Sequence, residues 1–179
     1  MQYVFNFVAE SIDGVLDAIQ AALGSAPYKL RELSSDSDTF IPTDDTLQQA
    51  AQDLGQGKLA TIAIHPEKGP IRYALISSPY TSGRSLSQYL GTIEYTERDF
   101  RPIWNMLPSV RGLSLVCLGF EEGVVISDDV LKPETFQWNQ WPLVVAAIKD
   151  PPSDSKWIIR EGPEMASVPR PLEEGTHNG

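Results

Sequence analysis

Two apolar runs near the middle of the chain, Leu59–Ile64 and Ile71–Ser77, are separated only by His65-Pro66-Glu67-Lys68-Gly69-Pro70. A link that short has no room for a crossover helix, so the two runs read as antiparallel neighbours joined by a hairpin. The same pattern recurs after Leu113–Phe120, the most apolar run in the chain. There Glu121-Glu122-Gly123 turns into the strand-like stretch Val124–Ser127. Short links between strands outnumber strand–helix–strand units. The expected class is therefore α+β: a mainly antiparallel sheet with about three helices packed on one face.

The other elements follow from periodicity. Residues 2–8 alternate polar and apolar like a strand, and 28–33 suit a short edge strand. Ile12, Val15, Leu16, Ile19 and Leu23 recur at helical spacing, with Ser11 as N-cap and Gly24 as the stop. A second helix is expected behind Thr43 as cap, with Asp44 and Asp45 in its first turn and Leu47, Ala50, Ala51 and Leu54 as its apolar stripe. Tyr89–Tyr95 is a further strand. Phe100, Ile103, Trp104 and Leu107 mark a third helix, which Pro102 confines to a start at a cap on Asp99. Leu143–Ile148 and Trp157–Ile159 are the last strands expected. One domain over residues 1–161 is expected, with a loosely ordered Pro/Gly/acidic tail over 162–179.

The formal net charge is −10, from 14 basic and 24 acidic residues. Such a surface repels nucleic-acid phosphates and anionic membranes, so neither is expected as a partner. The charge is unevenly spread. Residues 1–57 carry 2 basic against 9 acidic side chains, residues 58–113 carry 7 against 4, and residues 114–179 carry 5 against 11. Acidic outer segments that share a face would attract a basic partner. The single cysteine, Cys117, and a start with neither a basic n-region nor a long apolar core give a cytoplasmic expectation.

Candidate chemistry is sparse. Asp36-Ser37-Asp38-Thr39 resembles the nucleophile motif of haloacid-dehalogenase-like phosphatases. Leu75-Ile76-Ser77 and Val124-Val125-Ile126-Ser127-Asp128-Asp129 resemble that family's later motifs. The resemblance implies an aspartate nucleophile, a second aspartate as acid/base and a magnesium ion held by the late acidic pair. Three features depart from it. The residues before Asp36 are polar, no lysine lies between Lys68 and Lys132, and the helices do not alternate with strands as in a doubly wound sheet. The same acidic loop lacks the glycine and closing glutamate of an EF-hand. His65 and His177 do not pair with Cys117 at zinc-ligand spacing. No metal or cofactor is expected. Ser78–Ser85, with its hydroxyls, Gly83 and Arg84, can cradle a phosphate or carboxylate, or is a plain surface loop.

The leading expectation is a non-enzymatic acidic protein that docks a basic protein partner, for instance a bacterial immunity or inhibitor protein neutralising a toxin. Its contact residues would be Asp36, Asp38, Asp44, Asp45, Glu121, Glu122, Trp138 and Trp141, with Arg84 as a small-ligand contact. The alternatives are a small magnesium-dependent phosphatase-like hydrolase using Asp36 and Asp38, and a homodimer or larger homo-oligomer whose interface is the Trp138–Trp141 segment.

Overall fold

The first strand lies in the middle of the sheet. In the computed structural model, which describes residues 2–78 and 88–120 with the strands 145–148 and 158–161, β1 (Tyr3–Ala9) pairs with two partners. On one side is β6 (Tyr89–Tyr95) and on the other β7 (Leu113–Phe120), both antiparallel. The remaining strands are β2 (Tyr28–Ser34), β3 (Phe40–Thr43), β4 (Leu59–Pro66), β5 (Ile71–Ser77), β8 (Val145–Ile148) and β9 (Ile158–Glu161). Together they form a nine-stranded sheet in the order β3-β2-β4-β5-β6-β1-β7-β8-β9, antiparallel at every described pairing. The α+β class with an antiparallel sheet is thus what the chain adopts.

Strand alternation separates two faces. Tyr3, Phe5, Phe7 and Ala9 of β1 point to the side that carries the helices. There they join one apolar cluster with Ile62, Ile64, Ala74, Ile76, Ile93, Val116 and Leu118. Helix α1 (Ile12–Leu23) contributes Val15, Leu16, Ile19 and Leu23, α2 (Leu47–Gly55) contributes Leu47, Ala50, Ala51 and Leu54, and α3 (Arg101–Met106) contributes Ile103 and Trp104. The Tyr3 and Phe100 rings meet at 5.1 Å, fastening the start of α3 to β1. Gly91 lies directly opposite Phe7 in the sheet, and a β-carbon there would collide with the Phe7 ring. The glycine is what lets a phenylalanine fit on this face.

Val4, Asn6 and Val8 are buried on the opposite face. The Thr92 hydroxyl donates to Asn6 Oδ1 at 2.9 Å, and Arg72 Nη1 donates to the buried Glu94 carboxylate at 3.1 Å. Gln2 also bonds Glu94. Each large side chain fully buried in this sheet contributes about 2 kcal/mol. An exposed ion pair such as Lys58–Asp53, at 3.1 Å, contributes less than about 1 kcal/mol. Burial, not surface charge, holds the fold.

Helix boundaries follow the capping chemistry, with two corrections. Ser11 Oγ accepts the Gly14 N–H, and Gly24 ends α1 with φ 58°, a backbone state that favours glycine. The second helix does not start behind Thr43. Thr46 is its N-cap: its hydroxyl accepts the Gln49 N–H at 3.2 Å, while Gln49 Oε1 accepts the Thr46 N–H at 3.1 Å. This reciprocal capping box satisfies two donors where Thr43 could satisfy one. Thr43 instead closes β3, and Asp44 and Asp45 lie outside the helix. Asp99 keeps a capping role from one position further out. Phe100 is the N-cap residue and makes no side-chain cap bond, while Asp99 Oδ1 accepts the Arg101 N–H at 3.1 Å. The Arg101 guanidinium grips the same carboxylate through two bonds and lowers its pKa. The expected Val124–Ser127 strand and the 162–179 tail lie outside the described residues.

Candidate docking site

The hairpin formed by β2 and β3 is the outer edge of the sheet, and its charge is sorted by strand alternation. Leu30 of β2 is buried in the helix-side cluster, so Glu32, two residues on, faces the same side. Lys29 and Arg31 face the other, where Lys29 Nζ approaches Glu67 at 3.6 Å. The register places Ile41 opposite Glu32 and Thr43 opposite Leu30, so these also lie on the helix side. No lysine or arginine occurs between Arg31 and Lys58.

On the helix side, beside α2, the acids come together. The Glu32 carboxyl has a raised pKa, first because its surroundings desolvate it and then because Asp45 and Asp53 repel its charge. The Thr43 hydroxyl donates to it and partly offsets the rise. Glu32 Oε1 is buried and has no hydrogen-bond partner among the described residues. Asp53 projects from α2 and holds Lys58. Glu32 and Asp53 were not among the residues the sequence singled out. They are 21 positions apart and meet only because α2 folds back over β4 beside the hairpin.

Asp36 and Asp38 occupy the loop from Ser35 to Thr39 that joins β2 to β3. Its bonds are local: the Asp36 N–H donates to Ser34 Oγ at 3.3 Å and the Thr39 N–H to Ser37 Oγ at 3.1 Å. Asp44 and Asp45 flank the far end of β3, about 13 Å away for a strand of this length. The four acids therefore bracket one edge strand without converging on one point. Asp36 and Asp38 stand exposed at the tip of an edge hairpin, not at the end of a buried central strand.

The apolar part of the hairpin is also distinctive. Among the described residues, the exposed large hydrophobics are Tyr28 at 39%, Phe40 at 38% and Ile41 at 56%, and all three belong to β2 or β3. Exposed apolar side chains bordered by charged ones are a common feature of docking surfaces.

Other candidates take structural places. Trp104 is buried in the core. Burial alone pushes the Cys117 thiol up to about 12, which leaves it inert. His65 is exposed on β4, opposite Lys29, and no group of three or more potential metal ligands occurs among the described residues. Arg84, Glu121, Glu122, Trp138 and Trp141 lie outside the described residues, as do Asp128, Asp129 and His177. No helix among the described residues is long and apolar enough to cross a membrane. Comparisons with protein-family models, curated proteins and solved structures found no match.

Proposed function

We propose that this chain is a non-enzymatic binding protein that docks a basic protein partner through the β2–β3 hairpin and the acidic shoulder beside it. The observation that carries the reading is a coincidence of place. Two of the three exposed large hydrophobics among the described residues, Phe40 and Ile41, sit within a stretch that has four bracketing acids and no cation between Arg31 and Lys58. A basic side chain reaching the shoulder would oppose the Glu32 charge and relieve the repulsion among Glu32, Asp45 and Asp53. A cationic toxin held by its inhibitor belongs to this partner class. The hydrolase alternative gains nothing comparable, because Asp36 and Asp38 stand exposed to the water that a phosphoryl transfer must exclude.

The test compares two charge reversals of equal size against a panel of small cationic proteins at low salt. Asp44→Lys with Asp45→Lys is expected to weaken binding at least tenfold. Glu10→Lys with Asp17→Lys, at exposed sites on and beside α1, is expected to change it little. Added salt should weaken the wild-type complex. Equal losses from the two reversals would mean that net charge alone attracts the partner, and the docking site would be withdrawn.

A further inference from the structure

Resting on that reading, we infer that the partner engages as an extended basic segment that adds a strand to the outer edge of β3. The first argument is the direction in which the exposed apolar side chains point. Phe40 and Ile41 are neighbours in one strand, so they project to opposite faces of the sheet. A partner lying on either face covers only one of them. A strand laid alongside β3 covers both, because its own side chains alternate in step.

The second argument is the backbone. Pro42 has no N–H, so its pairing with Arg31 is of the non-hydrogen-bonded kind and its nitrogen faces away from β2. Phe40, two residues earlier, turns its N–H and carbonyl the same way. The outward row of β3 is therefore the Phe40 N–H, the Phe40 carbonyl and the Pro42 carbonyl. Among the described residues no other strand pairs with it. This edge is short and a donor poorer than a regular one, which limits indiscriminate pairing and suits a brief, sequence-selective contact.

The third argument decides what the added strand is. A second copy of this chain pairing through β3 would bring Asp36, Asp38, Asp44 and Asp45 of each copy against the other's, with no cation in either segment to offset them. Like charges opposed across a ladder are destabilising. A segment with apolar residues in its middle and lysine or arginine at both ends matches the edge along its length, because the acids stand at the two ends of β3 and the apolar pair between them.

The probe is a fluorescent octapeptide with Val-Ile-Val-Thr between paired lysines, titrated at low salt. Beside it stand a version N-methylated at alternate central amides and a version with glutamate in place of lysine. The lysine peptide is expected to bind and to protect the Phe40 amide from hydrogen exchange. The methylated peptide, with equal charge, should bind at least tenfold more weakly, and the glutamate peptide should not bind. Equal binding by the methylated peptide, or binding without Phe40 protection, would overturn strand addition while leaving acidic docking intact. No binding by the lysine peptide, with the cationic-protein assay still positive, would do the same. Dimerisation of the free protein that the peptide reverses would assign the edge to a second copy and also overturn the proposal.

Discussion

Glu32 shows how one residue takes opposing demands. Its strand position points it toward a helix, and its neighbours Asp45 and Asp53 penalise its charge. Because its folded-state pKa lies above the unfolded value, its contribution to stability is full at acid pH and is lost as pH rises through the folded pKa. Glu32→Gln should therefore be more stable than wild type at neutral pH, with the gap closing as pH falls through the raised pKa. Denaturant titrations at pH 3.5 and 7.5 check both the sign and the trend. At Gly91 the constraint is steric. Gly91→Ala should cost about 1–3 kcal/mol, because the Phe7 ring must leave its place or the strands must part. A matched drop in the denaturation midpoint, smaller in the double variant with Phe7→Leu, would locate the clash. Cys117 is silent by burial, and thiol reagents should label it only as the protein unfolds.

Elements differ in how much of them a reader of the sequence can see. Helix α1 was legible because its signals are local: Ser11, Gly24 and five apolar residues at helical spacing all lie within 14 positions. β3 was not, because Thr43 followed by Asp44 and Asp45 has the look of a helix cap with acids in its first turn. What overruled those signs was Thr46 with Gln49, a two-bond cap that starts the helix three residues later and frees Phe40–Thr43 to pair with β2. Thr46→Ala should accordingly lower stability by about 1 kcal/mol, as loss of a threonine cap does. Thr43→Ala should leave α2 intact, and the helical circular dichroism of the two variants would separate them. The proposed docking site was half legible. Four of its acids stood out as local clusters, whereas Glu32 and Asp53 became members only through the packing of α2 beside the hairpin.

At the scale of the molecule, the sheet order is what no local signal carries. β1 pairs with strands that begin 86 and 110 residues after it does, so its central place depends on long loop closures. Such topology folds slowly, and refolding on dilution from denaturant is expected on the millisecond-to-second scale typical of sheet proteins. A chain ended at Arg111 would lack β7 and leave one side of β1 unpaired. It should show no cooperative unfolding transition and should aggregate, as scattering during a denaturant titration would reveal.

The alternation in β2 reaches further than burial. A slip of one residue would carry Lys29 and Arg31 beneath the helices and turn Leu30 and Glu32 outward. The hydrophobic cost that forbids the slip therefore also fixes the sign of the charge shown on each side of the edge. Recognition through the proposed face and folding would share one constraint. Substitutions that keep the strand in place keep its polarity, so the proposed docking face could be retuned residue by residue without inversion.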